Sequence, residues 1–419
     1  MSLLIKSATL VSGKKADILI EENKIAQVRP SIKASAEERI DASSKLALAG
    51  LVNSHTHCPM TLLRGVAEDM RLEEWLEKVR KREEKFSPAQ VYAGALVACI
   101  EMLKSGTTCF SDMYFHMDEV AKAAAHCGIR AVLGYGMVDL GDPSTAKAEL
   151  SQAESFIRKW NGKENGRIKC AVAPHSIYLC SSDLLQESNR LSQKYNLPLH
   201  IHLSETRKEV FDCLKLNRKR PAFYLASLGI LSKRLTAAHC CWLSKEEVRV
   251  LAAAGCSAAL CPVSNMKLAG GGVAPLPEMQ QFGMNICLGT DGAASNNCLS
   301  MFDTMKVLGL VQKNARWDAS VAKQNFILNA ATFFGSRALG VRAGKIKQGF
   351  LADLILVDLK AANLLPWHNH TANLIYSAHP GNVTDVIVDG RRVVCEGKLT
   401  TLDEEKAKEL FLKEAQSLL

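Results

Sequence analysis

Between residues 50 and 345, short apolar segments with the character of β-strands recur eight times, and helical segments such as Pro88 to Lys104 and Ser181 to Tyr195 separate most of them. Parallel strands need such crossovers, so the alternation predicts a parallel sheet. Eight strand–helix repeats are the signature of an α/β protein with a (β/α)8, or TIM, barrel. The predicted strand segments are GLVNSHTH, GTTCFSDMYF, IRAVLGYGMVD, IKCAVAPHS, LPLHIHLSET, LTAAHCCWL, CSAALCPVSN and NICLGTDG.

A doubly wound open sheet is the alternative arrangement of alternating strands and helices. It would be expected to carry a glycine-rich phosphate-binding fingerprint after an early strand. Gly134-Tyr135-Gly136 lacks the rest of that fingerprint, and Gly270–Gly272 follows no evident strand-to-helix turn. We therefore predict the barrel.

The two ends of the chain resemble each other and differ from the middle. Residues 3–47 consist of short strand-like segments, and the segments ADLILVDL and VTDVIVDGRRVVCEG near the other end have the same character. We predict that residues 1–49 and 346–419 together build one small β-sandwich, with the barrel of residues 50–345 inserted between them. Helical periodicity from Asp403 to Leu419 predicts an additional terminal helix.

The charge and cysteine content exclude several classes of protein. The net charge of +9 is spread along the chain, and the densest basic cluster, Lys78 to Lys85, is interrupted by Glu83 and Glu84, which is typical of a solvated helix face. The 14 cysteines include no CxxC pair, as expected for free thiols in a reducing compartment. The N-terminal segment lacks the features of a signal peptide, and no apolar run approaches the ~18 residues of a membrane span. We expect a cytoplasmic protein that binds neither nucleic acid nor membrane.

Several polar residues fall at or just after the ends of predicted barrel strands, where barrel enzymes place their catalytic groups. His55 and His57 lie two residues apart in a strand, so both side chains point to the same face, here the barrel interior. Buried imidazoles need partners, and a divalent cation such as Zn²⁺ or Fe²⁺ is their natural partner. The residues at strand ends are His55, His57, His175, His202, His239 and Asp291.

The fifth strand, LHIHLSET, offers two histidines on one face. His202 lies nearer the strand end and is the predicted metal ligand, whereas His200 is predicted to lie deeper in the barrel with a hydrogen-bonded ring. Glu205 follows just beyond the strand, close to the predicted metal but outside its ligand set. A glutamate in such a position transfers protons in metal-assisted deamination.

The sixth and eighth strands end in His239 and Asp291. Asp291 can ligate the metal and accept a proton from bound water. His239 is either a fourth nitrogen ligand or the group that orients the attacking hydroxide. We favour the second role, because catalytic metal sites keep one position open.

The motifs HTHCPMTLLRGVAED, HLSET, AAHC, PVSNMKL and GTDGAASNN resemble those of the amidohydrolase superfamily and, within it, the 5-methylthioadenosine/S-adenosylhomocysteine deaminases. The segments SGTTCFSDMYFHMDEV and IRAVLGYGMVDL are most similar to the archaeal members called 5′-deoxyadenosine deaminases. The likeness covers almost the whole chain. It implies metal-dependent deamination of adenosine-type nucleosides, a reaction that salvages by-products of S-adenosylmethionine.

The resemblance also implies roles for individual residues. One divalent metal, with Zn²⁺ expected first and Fe²⁺ or Mn²⁺ compatible with the same ligands, would be held by His55, His57, His202 and Asp291. Glu205 would be the proton shuttle, and His239 would contact the hydroxide. Substrate contacts would be made by Glu83 (or its neighbour Glu84) at the ribose hydroxyls, by His175, and by Trp75 and Met60 in the pocket lining.

One departure from the family pattern bears on the substrate. Some bacterial relatives carry arginines after the third strand that would meet the carboxylate of S-adenosylhomocysteine. Here the stretch reads GYGMVDLGDPSTAK, with Tyr135 and without arginine, and Lys147 lacks the planar fork of a guanidinium. We therefore expect small neutral 5′ groups, such as 5′-deoxy or 5′-methylthio, to be favoured.

Three other interpretations remain. A guanine, cytosine or triazine aminohydrolase or a chlorohydrolase could use the same scaffold, although a chlorohydrolase has less need for Glu205 as a proton donor. A dinuclear enzyme would need a carboxylated lysine on the fourth strand, where APHSIY carries His175 instead. A non-catalytic scaffold should have lost ligands, and this chain has the complete set. The expected partners are the nucleoside substrate and further copies of the chain in a homo-oligomer.

Overall fold

The structure is a computed structural model that describes residues 2–416 and 418, with only the backbone described for residues 72 and 73. The chain begins with five strands that pair with one another. Strand β1 pairs antiparallel with β2 and parallel with β4 and then β5, changing partner beyond Ser7, whose backbone is left-handed (φ 60°). These strands are β1 (Ser2–Leu10), β2 (Lys15–Glu21), β3 (Lys24–Arg29), β4 (Glu38–Asp41) and β5 (Lys45–Ala49).

Each of the eight predicted barrel segments contains one strand, and the eight strands are hydrogen-bonded in chain order into one parallel sheet. The predicted barrel is confirmed. Its strands are β6 (Leu51–Thr56), β7 (Thr107–Tyr114), β8 (Arg130–Met137), β9 (Ile168–Pro174), β10 (Leu199–Leu203), β11 (Leu235–His239), β12 (Ser257–Leu260) and β13 (Asn285–Leu288).

The first and last barrel strands meet at a seam that is closed by specific hydrogen bonds. The Asn53 amide donates to Thr290 Oγ1 (2.7 Å) and accepts from the Thr290 N–H (3.0 Å), while the Asp291 N–H donates to the His55 carbonyl (3.0 Å). Gly289 permits this approach, because a Cβ on it would lie 2.7 Å from the Cβ of His55. The seam therefore brings the residues around His55 and Asp291 together.

Several of the helices begin at a residue whose side chain caps them. Helix Pro88–Lys104 has the predicted bounds, with Ser87 and Gln90 forming a capping box. The predicted helix from Ser181 begins one residue later, because the Ser181 side chain caps it by accepting the Leu184 N–H. The helices are Leu72–Glu83, Pro88–Lys104, Met117–Cys127, Pro143–Trp160, Lys163–Gly166, Ser182–Tyr195, Arg207–Asn217, Pro221–Ser227, Lys245–Ala253, Pro262–Lys267, Leu276–Gln281, Ala293–Asn296, Met301–Arg316, Gln324–Ala330, Phe333–Ala338, His370–Tyr376 and Glu404–Gln416, with 3-10 turns at Cys58–Leu63, Ala362–Leu364 and Pro380–Asn382.

The terminal helix Glu404–Gln416 lies against the barrel helix Pro88–Lys104, and the Lys104 ammonium contacts the Glu404 carboxylate at 2.9 and 3.0 Å. The sequence predicts that this helix extends to residue 419. Residues 417 and 419 lie outside the described part of the chain. Within the described part, no individual helix has both the length and the apolar character of a membrane span. One bent pair, Glu74–Glu83 with Pro88–Lys104 at 116°, meets that test by length and composition alone.

The C-terminal strands complete the small sheet that the N-terminal strands begin. Strand β14 pairs antiparallel with β5, which joins the nine strands into one mixed sheet with its own apolar core. The predicted second unit from both termini is thus confirmed as a mixed sheet, whereas the domain boundaries at residues 50 and 345 stay predictions. The added strands are β14 (Leu354–Asp358), β15 (Val383–Val388), β16 (Arg391–Cys395) and β17 (Lys398–Leu399).

A buried ion cluster connects the barrel to the small sheet. Arg130, at the start of β8, donates to Asp353 (2.6 and 3.1 Å) and to Asp389 (2.7 Å), and its side chain is 3% exposed. Asp353 also accepts the Asp389 N–H (2.8 Å). Both carboxylates depend on this guanidinium for their charge compensation.

We predict that Arg130→Met lowers the free energy of unfolding by roughly 3 to 5 kcal/mol, since it removes the cation between the buried Asp353 carboxylate and the partly buried Asp389 carboxylate. Urea denaturation followed by circular dichroism measures this change. The matched control is Arg190→Met, because Arg190 forms an ion pair with Glu187 while its side chain is 68% exposed. The control should cost less than about 1 kcal/mol. Equal effects of both substitutions would contradict the role assigned to the buried cluster.

Candidate active site

The predicted ligand atoms converge at the C-terminal end of the barrel. Two groups of three lie within 4.8 Å of one another, namely His55 with His202 and His239, and His55 with His57 and Asp291. His55 belongs to both groups, and the His57 and His202 rings lie 5.5 Å apart. Residues from β6, β10, β11 and the segment after β13 therefore surround one point.

Hydrogen bonds at the outer side of the rings orient the imidazoles. The Nδ1 atom of His57 lies 2.7 Å from the Met113 carbonyl oxygen, and that of His202 lies 2.8 Å from the His175 carbonyl oxygen. Each ring thus donates through Nδ1 and presents a lone pair at Nε2, the arrangement usual for metal-binding histidines.

His55 is held in the same way by another histidine. Its Nδ1 lies 2.8 Å from Nε2 of His200, which is buried deeper in the barrel, as the sequence suggested. The Nε2 atom of His55 is buried and has no hydrogen-bond partner among the described residues. Burial lowers the pKa of His55 to about 4, so the ring is neutral at pH 7. An unpartnered neutral imidazole nitrogen beside a carboxylate fits a divalent cation.

Asp291 completes this group with one free oxygen. Its Oδ2 accepts from Ser264 Oγ (2.6 Å) and Ser295 Oγ (2.9 Å), whereas its Oδ1 faces Nε2 of His57 (3.3 Å) and of His55 (3.6 Å). Burial opposes ionisation of Asp291, but the neighbouring imidazoles outweigh it and hold its pKa well below the usual value. The carboxylate is therefore charged and oriented towards the histidines.

Glu205 and His239 lie side by side at the edge of the cluster. Glu205 Oε2 is 3.8 Å from His239 Nε2, and the Asn265 amide nitrogen is 3.1 Å from His239 Nδ1. Burial raises the pKa of Glu205, and His239 opposes this shift. Because His239 also lies within reach of His55 and His202, the geometry is compatible with either role predicted for it.

Four residues at these strand ends have left-handed backbones although none is glycine. The φ angles are 50° at Ser204, 69° at His239, 55° at Cys240 and 64° at Asp291. Such conformations cost on the order of 1 to 3 kcal/mol each and concentrate at functional sites. The strain falls on the residues that the sequence singled out or on their neighbours.

Two of the predicted substrate contacts, Glu83 and His175, lie next to this centre. Glu83, at the end of helix Leu72–Glu83, has its carboxyl beside the Tyr114 hydroxyl and near His57, while burial raises its pKa. Glu84 instead forms an ion pair with Arg80 (2.7 Å) and is 60% exposed. Of the two glutamates, Glu83 is the one that faces the cluster.

The other predicted contacts differ in their surroundings. The His175 ring stacks on His202 at 4.5 Å, its Nδ1 is buried without a hydrogen bond among the described residues, and its pKa is lowered by burial to about 3. Trp75 is buried in the main apolar core, and its Nε1 has no hydrogen-bond partner within the described part of the chain. Met60 packs at the edge of the same core.

Sequence reasoning missed three buried groups near the site. Tyr114 lies beside Glu83. Asp112 accepts the N–H of Cys58, the residue after His57 (3.1 Å). Glu209 accepts the backbone N–H groups of Ser204 and Glu205. Asp112 and Tyr114 share a face of β7, a period-two signal that could have been used. Glu209 carries no comparable signal, because one glutamate in the first turn of a helix is common.

A strand-end cluster of this kind on a parallel barrel defines the class of metal-dependent hydrolases. The family model described as the amidohydrolase family matches residues 46–393.

Two relatives match almost the whole chain. The 5′-deoxyadenosine deaminase of Methanocaldococcus jannaschii is 44% identical over 97% of both chains. The 5-methylthioadenosine/S-adenosylhomocysteine deaminase of Pyrococcus furiosus is 42% identical over 98% of this chain and 99% of its own. A crystal structure of an adenosine deaminase from Xanthomonas campestris with bound zinc superposes with a TM-score of 0.93 at 31% identity, covering 99% of this chain and 98% of that one. The chain belongs to the amidohydrolase family and to the group of these deaminases within it.

We predict that the purified protein contains one divalent ion per chain and that His202→Asn loses most of it, because the ligand cluster has a single centre. The lysine of the fourth strand, Lys169, donates to the Gly340 carbonyl (3.0 Å) rather than to this cluster. Plasma mass spectrometry gives the stoichiometry. His126→Asn is the matched control, since His126 is exposed and contacts Tyr92 (2.9 Å). Two tightly bound ions per chain would contradict the single site.

Proposed function

We propose that this chain hydrolyses the 6-amino group of adenosine-type nucleosides, releasing ammonia and the inosine analogue. The observation that carries the proposal is a partly buried acid, Glu205, 3.8 Å from His239 at the edge of a cluster of imidazoles and one carboxylate. Deamination needs such an acid, because the ring nitrogen and the leaving amino group must both be protonated. The names of the two deaminase relatives support the adenosine-type substrate.

His55, His57, His202 and Asp291 would hold one divalent ion, for which we propose Zn²⁺. The zinc in the adenosine deaminase of similar structure supports this choice. When bound, such an ion supplies Lewis-acid chemistry that makes water a nucleophile near neutral pH.

The residues of the chain then move the protons. Asp291 accepts a proton from the attacking water through Oδ1, the oxygen that the two serines leave free. The Asn265 amide donates to Nδ1 of His239, so Nε2 carries the ring proton and orients the water oxygen. Glu205 protonates N1 of the purine, which makes C6 electrophilic for the oxygen of the attacking water. The Glu205 carboxylate then takes the proton of the hydroxyl group on C6 and passes it to the amino group, the C6–N bond breaks and ammonia leaves, and the proton held by Asp291 returns to Glu205. Burial raises the pKa of Glu205 and so favours the protonated form from which the transfer to N1 starts.

The region after β8 favours neutral 5′ substituents. Tyr135 Oη donates to Glu149 (3.0 Å), which also accepts the Val138 N–H (3.1 Å). A carboxylate rather than an arginine is therefore fixed in this stretch, and Lys147 is exposed. A negative charge here disfavours binding of the homocysteine carboxylate and has little effect on binding of the neutral 5′-deoxy and 5′-methylthio groups.

We predict that ammonia release is fastest with 5′-deoxyadenosine and methylthioadenosine and roughly 10-fold or more slower in kcat/KM with S-adenosylhomocysteine, owing to this charge. A coupled ammonia assay over these substrates, adenosine, guanine and cytosine measures the ranking. The Glu205→Gln protein, purified in parallel, controls for contaminating deaminases. Preferential release from guanine or cytosine would refute the proposed substrate class.

We predict that Glu83→Ala lowers kcat/KM for 5′-deoxyadenosine by roughly 10- to 100-fold, because a hydrogen bond from a ribose hydroxyl to a charged group is lost. The rate with free adenine, which has no ribose, should stay within about twofold. Glu84→Ala is the matched control and should leave both substrates unaffected, since Glu84 faces Arg80. Equal losses for nucleoside and free base would exclude the ribose contact.

A further inference from the structure

We propose that Glu209 is a positioning residue that holds Glu205 in its reactive orientation, an inference that rests on the proposed function of Glu205. Glu209 lies in the first turn of helix Arg207–Asn217 and is 4% exposed. Its Oε1 accepts the Ser204 N–H (2.7 Å) and its Oε2 accepts the Glu205 N–H (2.8 Å). One carboxylate thus binds both of the peptide groups that precede the Glu205 side chain.

The backbone at this point has an unusual shape that the carboxylate accounts for. Ser204 is left-handed (φ 50°), and a left-handed residue can turn two successive N–H groups towards one anion. Here the acceptor is the Glu209 carboxyl group of the chain itself. The Ser204 carbonyl accepts the Trp242 N–H (2.9 Å), and Thr206 Oγ1 accepts the Glu209 N–H (3.1 Å), so the turn is fixed on both sides.

The turn determines where the reactive carboxyl lies. The chain leaves β10 immediately after the predicted ligand His202, and three residues later Glu205 must face His239 at 3.8 Å. Rotation of either peptide bound by Glu209 would displace the Glu205 carboxyl relative to the purine. A misplacement of about 1 Å can cost on the order of 100-fold in rate. Glu209 therefore acts through Glu205.

A purely structural role for Glu209 is the competing explanation, and the chain offers a matched control for it. Glu247 is also a fully buried glutamate in the first turn of a helix, and its carboxylate accepts the Ala222 N–H (3.0 Å) and the Ser244 N–H (2.8 Å). Its helix, Lys245–Ala253, follows β11, and its ion pair is with Arg220 (2.7 Å). Loss of a buried carboxylate should lower stability at both positions.

The test compares Glu209→Gln, Glu209→Asp and Glu247→Gln in the full-length, metal-loaded protein with 5′-deoxyadenosine. We expect Glu209→Gln to lower kcat by roughly 10- to 100-fold with KM within about threefold and unchanged metal content, because an amide has one acceptor oxygen for the two N–H donors and turns its NH2 group towards the other. Glu209→Asp keeps the carboxyl group at shorter reach and should lower kcat less. Glu247→Gln should lower the Tm while kcat stays within about twofold. If Glu209→Gln does not fold, the kcat of Glu209→Asp decides, and a wild-type value overturns the proposal.

A double-mutant cycle separates this inference from the proposed function. In the Glu205→Gln background, Glu209→Gln should cause no further loss, since its target is already absent. If the losses from the two substitutions are additive, or if Glu209→Gln alone has a wild-type kcat, the positioning role of Glu209 is overturned. In either case, a low kcat in Glu205→Gln would still support Glu205 as the proton shuttle. A fully active Glu205→Gln protein would instead refute the proposed function itself.

Discussion

Closure of the barrel between β6 and β13 is the contact on which the site depends. The Asn53–Thr290 pair and the hydrogen bond from Asp291 to the His55 carbonyl hold the first and last strands together. His55 and His57 are more than 230 residues from Asp291 along the chain, so without this seam nothing would fix the distance between their side chains. The close approach at Gly289 shows how tightly that part of the molecule is built.

A second constraint is that hydrogen bonds within the described part of the chain hold the outer atoms of the site, whereas its inner atoms face one another. One nitrogen of each imidazole is hydrogen-bonded: that of His57 to Met113, that of His202 to His175 and that of His55 to His200. One oxygen of Asp291 accepts hydrogen bonds from two serines. Burying imidazoles and a carboxylate in this way is unfavourable unless the remaining nitrogens and oxygen also find a partner. The side chains are therefore pre-organised, so little reorganisation is needed when a cation binds.

The barrel and the ends of its strands could be predicted because both depend on short-range periodicity. Alternating strand and helix patterns fix the fold, and two-residue spacing puts His55 and His57 on one face, so the convergence of five side chains followed from topology. The choice between Glu83 and Glu84 could not be made in this way, because it depends on the rotation of one helix end. Glu209 was missed because its partners are backbone N–H groups, and the Thr206-x-x-Glu209 spacing predicts the start of a helix without saying which N–H groups the carboxyl binds. The metal roles of the strand-end residues and the substrate contacts remain predictions.

The pairing of β5 with β14 has a consequence for synthesis of the chain. Strand β5 lies at residues 45–49 and β14 at residues 354–358, so this pair in the small sheet cannot form until the whole barrel has been synthesised. At ~5 to 20 residues per second, roughly 15 to 60 s pass between translation of the two strands. During that interval β5 offers an unpaired edge, the type of surface at which nascent chains associate wrongly. Slow ribosomes or a missing chaperone should therefore harm this protein early, at its first fifty residues, rather than at its catalytic centre.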